Sequence, residues 1–330
     1  MSKAFLGYKR ILAATDFSEW GDCALRRAVW IAQISHSPLV AAHVVADLRK
    51  AVHQTSYHSR IEFLEGHEER FQRELRSGSD AKLKRAIAGL GTPGVDIRYE
   101  TLLGEPYTEL IHSVQQEKYD LVVVGTRGHS AIKRLVLGST AKRLVRKCPA
   151  SVWVAKHQQK PPTCIVAAVD MSHVSRRAFR EAVWVAQRTG AGLHVLHVIE
   201  GTGIPSDLLD TEVAGRASHS LRQTIEAEVK QAFEKFVGEA SHDCATQERH
   251  LCWGSPANET LALADRLHAD LIVLGTVGRT GVQGLLLGNT AENVLVHSNC
   301  DVLTVKPADF VSPIQPATWE LHPGPERRTT

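Results

Sequence analysis

Two glycine-containing motifs hold the residues whose types and spacing could bind a phosphate group. The first reads Gly125-Thr126-Arg127-Gly128, then nine residues, then Gly138-Ser139-Thr140; the second reads Gly275-Thr276-Val277-Gly278, nine residues, then Gly288-Asn289-Thr290. Glycine lets a ligand approach the backbone where a Cβ would intrude. The last part of each motif is expected to open a helix, whose free N–H groups and positive dipole end favour phosphate.

An aspartate completes the candidate site in each half of the chain. Asp16 and Asp170 each end the first predicted strand of their copy, at its carboxyl end. Ligands of open α/β sheets bind beyond those ends, where a carboxylate can accept hydrogen bonds from a base or a ribose hydroxyl. Spacing alone leaves a second interpretation open, in which the glycines serve tight turns, Ser139 caps a helix, and the aspartates cap helices beginning near Ser18 and Ser172.

The chain is a duplicated sequence. Residues 11–16 match residues 165–170 at an offset of 154, and residues 120–126 match residues 270–276 at an offset of 150. Two copies of about 150 residues account for nearly the whole length, so a repeat sets the fold. We predict domain 1 at residues 1–156 and domain 2 at residues 157–307. Residues 308–330, with four prolines, are predicted to form an extended or partly disordered tail.

Each copy alternates strand-like and helix-like segments. In copy one, five strands are predicted, at residues 10–14, 39–45, 95–102, 121–124 and 151–155. Segments of helical length separate them, which predicts right-handed crossovers and an α/β fold. Runs without polar interruption are typical of strands covered on both faces. Each copy is therefore expected to form a doubly wound parallel sheet. His43 and His197 occupy matching strand-two positions and are expected to be buried and hydrogen-bonded.

The glycine pattern, the strand-one aspartate and the double copy resemble the tandem universal stress proteins. Residues 275–281 and 287–292 are most similar to the E-type tandem members, and the resemblance covers about residues 8–307. It implies a nucleotide-binding α/β fold of the adenine-nucleotide alpha hydrolase-like kind, with strand order 3-2-1-4-5, and a role in survival under stress. In ATP-binding members the strand-one aspartate meets the adenosine end and the glycine motif holds the phosphates.

Carried over residue by residue, the resemblance names a candidate nucleotide site in each copy. In copy one the residues are Asp16, Val44, Val45, Gly125, Arg127, Gly128, Gly138, Ser139 and Thr140. In copy two they are Asp170, Gly275, Gly278, Gly288, Asn289 and Thr290. Asn289 departs from the family's Ser/Thr, although its amide can still donate to a phosphate. Other branches of the family do not bind ATP.

Charge distinguishes the two copies near the motif. Residues 127–147 of copy one contain seven basic residues and no acid, whereas the matching residues 277–297 contain one Arg and one Glu. A loop that faces a phosphate gains from nearby cations, although cations on a solvated helix face contribute little. If one copy alone binds nucleotide, we expect it to be the first.

Composition narrows the function classes further. Hydrophobic residues make up 43% and charged residues 23% of the chain, the balance of a soluble globular protein. No apolar run approaches the 18 or so residues of a membrane span, and the net charge of +3 indicates neither a nucleic-acid nor a membrane partner. The six cysteines are scattered and the 17 histidines form no metal-binding motif, so no metal site is predicted. With no apolar signal segment among residues 1–10, we expect a cytoplasmic protein.

The leading hypothesis is a stress-response protein that binds or senses a nucleotide and has no dedicated catalytic residues. Its ligand would be ATP or a related adenine nucleotide, with or without Mg²⁺, and the fold would need no cofactor. The two copies are expected to pack as an intramolecular pseudo-dimer through their last strands, residues 151–155 and 301–305. Homodimerisation of the whole chain is left open.

Two alternatives stay open at this stage. The first is a weak ATPase or self-phosphorylating enzyme, with Ser139 or Thr140 near the terminal phosphate, although the motif shows neither paired carboxylates nor a general base. The second is a ligand-free module that binds a protein or an apolar molecule. Its grooves would be lined by residues 47–90 and 201–240, where the copies differ most.

Overall fold

The computed structural model describes residues 5–47, 68–91, 94–126, 137–156, 160–201, 212–240, 247–278, 287–316 and 328–329. The chain divides into two units, each with one copy of the repeat. The N-terminal unit comprises Gly7–Lys160 and Asp309–Thr330, and the C-terminal unit comprises Pro161–Ala308 and Met1–Leu6.

Among the described residues of the N-terminal unit, five parallel strands form one sheet in the order β3-β2-β1-β4-β5. They are β1 (Ile11–Ala14), β2 (Leu39–Val45), β3 (Ile97–Leu103), β4 (Leu121–Gly125) and β5 (Ser151–Ala155). Every residue of β1, β4 and β5 is buried, as expected of strands covered on both faces. The predicted doubly wound sheet and its strand order are confirmed in this unit.

Helices connect these strands and cover both faces of the sheet. They are α1 (Glu19–Ser35), α2 (Glu68–Ala88), α3 (Pro106–Glu117) and α4 (Ser139–Lys147). Helix α1 buries one apolar face, which includes Ala24, Leu25 and Ala28, against β1 and β4. Right-handed crossovers place α1 and α2 on one face of the sheet and α3 and α4 on the other. The carboxyl ends of all five parallel strands meet at one edge.

The C-terminal unit repeats this plan, with its sheet in the order β8-β7-β6-β9-β10. The strands are β6 (Cys164–Ala168), β7 (Gly192–Ile199), β8 (Gln247–Trp253), β9 (Leu271–Gly275) and β10 (Asp301–Val305). The helices are α5 (His173–Thr189), α6 (Glu212–Ala240), α7 (Pro256–Arg266) and α8 (Asn289–His297). The predicted strand order is confirmed here also. No helix in the described ranges has both the length and the apolar character needed to cross a membrane.

A segment from the far end of the chain joins each unit. In the C-terminal unit, Phe5 packs edge-on against Trp184 of α5, with ring centroids 5.6 Å apart. In the N-terminal unit, the Gln115 side-chain amide of α3 donates to the Ile314 carbonyl (2.9 Å). A short strand, β11 (Arg328–Thr329), pairs antiparallel with β3. The described parts of residues 308–330 therefore contact α3 and β3.

Candidate functional site

The aspartate after the first strand of each unit orders the turn into the following helix. Asp16 Oδ1 accepts hydrogen bonds from the Ser18 backbone N–H (3.1 Å) and hydroxyl (2.5 Å). Asp170 Oδ1 accepts one from the Ser172 backbone N–H (3.0 Å). Ser18 and Ser172 are the N-caps, each accepting from the backbone N–H three residues on. The serines therefore cap α1 and α5, and the aspartates hold the turn at the carboxyl end of the first strand.

A histidine of the second strand fixes the end of the first strand in both units. His43 Nδ1 lies 2.8 Å from the Thr15 carbonyl, and His197 Nδ1 lies 2.7 Å from the Val169 carbonyl. A carbonyl oxygen can only accept, so each ring donates through its Nδ1 hydrogen. The expectation of hydrogen-bonded strand-two histidines is confirmed, with His197 buried and His43 partly buried.

The residue that follows each aspartate was not among the site residues predicted from the sequence. Phe17 and Met171 both have left-handed backbone conformations, with φ of 62° and 63°. Such a conformation is uncommon for a bulky residue and marks a position held by its surroundings. The Phe17 ring packs on His43 at 4.3 Å between centroids, and the Lys82 ammonium group lies 5.5 Å from the Phe17 ring centroid. The only sequence signal was the recurrence of Asp-x-Ser after strand one in both copies.

Close helix packing explains the first glycine of each motif. A Cβ on Gly125 would lie 2.5 Å from the Trp20 carbonyl oxygen, and a Cβ on Gly275 would lie 2.9 Å from a methyl group of Val174. Trp20 and Val174 belong to the first turns of α1 and α5. A helix therefore occupies the space in front of each glycine, and this packing by itself requires a small residue.

The second glycine of the C-terminal motif lies directly against the strand-one aspartate. A Cβ on Gly278 would lie 2.8 Å from Asp170 Oδ2. A side chain there would displace the carboxylate, so glycine is what allows the motif loop and the aspartate to meet. In copy one, the matching Gly128 and the neighbouring Arg127 lie outside the described residues.

The third glycine of each motif is the N-cap of a helix. Gly138 N–H and Gly288 N–H donate to the carbonyls of Thr126 and Thr276, both at 2.7 Å, and this closes the motif loop onto the strand end. Neither N-cap makes a side-chain hydrogen bond to its helix. Because glycine has no side chain, the N–H groups in the first turns of α4 and α8 have no capping acceptor from that position. An anion can take that place.

The remaining candidates lie at the same ends of the helices and strands. Ser139 and Asn289 are exposed, whereas Thr140 and Thr290 are half-buried. In β2, residues 44 and 45 pair with β3 beyond the point where β1 stops pairing with β2. Val45 is buried and Val44 is half-buried, so both lie at the edge where Asp16 follows β1.

Two of the basic residues of copy one contact α3. Arg143 donates to the Glu105 carboxylate (2.5 Å). Its guanidinium group lies 4.7 Å from the centroid of the Tyr107 ring, and the Lys147 ammonium group lies 5.0 Å from it. Glu105 is the N-cap residue of α3. The charge difference between the copies therefore includes cations that pair at the surface.

The fold and the glycine motifs together define the class to which the chain belongs. A model of the universal stress protein family matches residues 7–156 and again residues 163–306. The chain therefore belongs to the universal stress protein family, with two such domains in tandem.

Relatives of similar length share this double organisation. Universal stress protein E of Photorhabdus laumondii is 28% identical over 323 residues, which cover 94% of this chain and 98% of that protein. Universal stress protein E of Escherichia coli K12 is 26% identical over 93% of this chain and 97% of its own length. The predicted resemblance to E-type tandem members is confirmed.

Solved structures agree on the fold. The structural match with a universal stress protein from Archaeoglobus fulgidus covers 90% of this chain and 98% of that chain, at a TM-score of 0.60 and 22% identity. The match with a protein of unknown function from Pseudomonas aeruginosa PAO1 covers 92% of this chain and 94% of that chain, at a TM-score of 0.66 and 23% identity.

Proposed function

We propose that this chain is a stress-response protein that binds an adenine nucleotide, ATP or a close relative, at the carboxyl edge of its sheets. One observation carries the proposal. In the C-terminal unit, Gly278 lies against the carboxylate of Asp170, and the same motif ends at Gly288, an N-cap without a side chain. A carboxylate that can meet ribose or base therefore lies against a motif that ends in helix N–H groups without a side-chain cap, and those groups can meet phosphate.

The N-terminal unit supports the same function with matching parts. Asp16 follows β1, Gly138 is the N-cap of α4, and the Gly138 N–H closes the loop onto the Thr126 carbonyl as its counterpart does. The role is binding or sensing, and we assign no catalytic residue. Ser139 and Thr140, the residues that self-phosphorylation would need, serve here as phosphate contacts.

An N-cap substitution tests the proposal because it separates anion binding from helix stability. Aspartate and asparagine are both good N-caps, so either should stabilise α8 slightly, by about 0.3 kcal/mol relative to glycine. Aspartate additionally places a negative charge where the phosphate would lie. We expect Gly288→Asp to weaken ATP binding by at least about tenfold, or 1.4 kcal/mol, whereas Gly288→Asn, which caps the same N–H groups without adding a charge, should weaken it less.

The measurement is an equilibrium titration of the full chain with ATP, with and without Mg²⁺, for the Gly138 and Gly288 pairs of variants. Loss of binding in the aspartate variants, with unchanged or raised melting temperature, supports the proposal for that unit. Absence of saturable binding to the unmodified chain contradicts it, as does equal binding by the Asp and Asn variants at both positions.

A second function, the binding of a protein or an apolar molecule, is favoured by an exposed apolar strip on α2. Phe71 and Leu75 are 40% and 43% exposed, and they line a shallow groove of about 280 Å³ with Gly78 and Lys82. This groove lies within residues 47–90, where the two copies differ. We expect it to bind 1-anilinonaphthalene-8-sulfonate with increased fluorescence that Phe71→Ser abolishes. Fluorescence equal in the variant and the unmodified chain contradicts this role.

A further inference from the structure

Three metal-ligating side chains converge near the amino ends of β7 and β8 in the C-terminal unit. His194 lies opposite Glu248 in the parallel pairing of these strands, and His250 follows two residues later. Alternate residues of a strand point to the same face, so all three side chains project together. His194 Nδ1 is 3.1 Å from His250 Nε2, and a Glu248 carboxylate oxygen is 3.4 Å from His194 Nδ1 and 4.0 Å from His250 Nε2.

These separations are close to those of ligands around a tetrahedral metal ion. Nitrogen ligands bound to zinc at 2.0–2.1 Å on neighbouring corners of a tetrahedron are about 3.3–3.4 Å apart. The separations of 3.1 Å and 3.4 Å lie near that value, and the 4.0 Å between Glu248 and His250 is longer. We propose that His194, Glu248 and His250 form a binding site for a Zn²⁺ ion, with water in the fourth position. Two histidines and one carboxylate form a ligand set that proteins use for zinc when one position stays open.

The three side chains of the cluster differ in burial and in the charges around them. The His194 and His250 side chains are 13% and 24% exposed, and Glu248 is 71% exposed. Burial, the nearby His194 and the charge of Arg266 lower the pKa of His250, although Glu248 opposes this shift. Arg266 is the cation that acts against the ion, and Glu248 is the anion that compensates for it.

The site is independent of the nucleotide crevice and specific to the second copy. It lies near the amino ends of the strands, whereas the crevice lies at their carboxyl ends. The matching positions of the N-terminal unit are Val40, Arg98 and Glu100, as the β2–β3 pairing shows. Glu100 there is buried and accepts a hydrogen bond from Ser113. The first copy therefore offers an internal comparison with a different set of side chains.

The test is a metal titration of the full chain after treatment with a chelator. Co²⁺ is added as a spectroscopic probe, and Zn²⁺ then competes with it. We expect one equivalent of Co²⁺ per chain to give visible absorption typical of tetrahedral coordination, and Zn²⁺ to abolish that absorption. Loss of even an outer-sphere partner costs about 10–100-fold in metal affinity. His194→Gln, His250→Gln and Glu248→Gln should therefore each weaken binding by at least about tenfold.

A matched variant controls for the other histidines. His297→Gln removes an exposed histidine of α8 whose ring contacts the Asn293 carbonyl of its own helix, so it should leave the affinity unchanged. Circular dichroism in chelator reports whether each variant folds. If the histidine variants do not fold, Glu248→Gln decides, because its side chain is mostly exposed. Absence of a one-equivalent site, or equal affinity in Glu248→Gln and the unmodified chain, overturns the proposal. In that case a hydrogen bond between the two rings accounts for their approach.

Discussion

The first glycine of each motif allows packing and ligand approach to be separated by experiment. At Gly125, an added Cβ meets the backbone carbonyl of Trp20 at 2.5 Å, and a backbone group cannot rotate away. Overpacking of this kind costs about 3 kcal/mol, and the lower unfolded-state entropy of alanine offsets about 0.7 kcal/mol. We therefore expect Gly125→Ala to lose about 2 kcal/mol of unfolding free energy.

The matching substitution in the other unit serves as the control. At Gly275, the nearest atom is a methyl group of Val174 at 2.9 Å, and Val174 Cβ and the Val277 carbonyl oxygen both lie at 3.4 Å. A valine in a helix is stiff at χ1, so the overpacking cost falls only to about 2 kcal/mol, of which the entropy gain offsets about 0.7 kcal/mol. Gly275→Ala should therefore lose about 1 kcal/mol, which is about 1 kcal/mol less than Gly125→Ala.

Urea unfolding followed by circular dichroism measures the difference, and hydrogen exchange of the β4 and β9 peptides locates it. If the two alanine variants are equally stable, the packing argument is wrong. A Gly125→Ala protein that keeps its stability but loses ATP binding would show instead that the glycine serves the ligand.

Two further predictions concern the C-terminal unit. Asp270 accepts hydrogen bonds from the Thr163 backbone N–H (2.7 Å), the Thr163 hydroxyl (2.6 Å) and the Cys164 N–H (3.0 Å), so Asp270→Ala should cost about 2 kcal/mol in urea unfolding; a loss under about 0.5 kcal/mol contradicts this. Burial lowers the pKa of His250, so the unfolded chain binds a proton at this residue more readily than the folded chain does. The stability that the neutral ring contributes is therefore complete above the unfolded pKa, near 6.5, and is lost as pH falls through the lower folded pKa. In chelator, stability should therefore fall more steeply between pH 7 and pH 5 for the unmodified chain than for His250→Gln, and parallel curves contradict this.

The central strands were predictable because apolar runs are local features of the sequence, whereas the strand order was implied by the resemblance to the tandem universal stress proteins. Residues 11–14 and 121–124 have no polar interruption, and both became fully buried strands at the sheet centre. The predicted third strand at 95–102 corresponds to β3, at Ile97–Leu103. Boundaries shifted by one or two residues, because the ends of strands depend on neighbours that are distant in sequence.

The details of the site were harder to predict from the sequence because they depend on contacts between segments that are distant in the chain. The approach of Trp20 to Gly125 joins residues more than a hundred positions apart, and no local pattern indicates it. The His194, Glu248 and His250 cluster also depends on strand register, since 54 residues separate His194 from Glu248. The Glu-x-His pair of β8 was the one local signal, and it could not indicate a metal site by itself, because the third ligand lies on β7.

The most direct test of nucleotide binding is native mass spectrometry of the full chain with excess ATP. The account predicts a bound adenine nucleotide in the unmodified chain and in the doubly substituted Gly138→Asn, Gly288→Asn protein. It predicts none in the Gly138→Asp, Gly288→Asp protein, whose fold should be at least as stable. Nucleotide retained by the double aspartate variant, or absent from the unmodified chain, would contradict the proposed crevice.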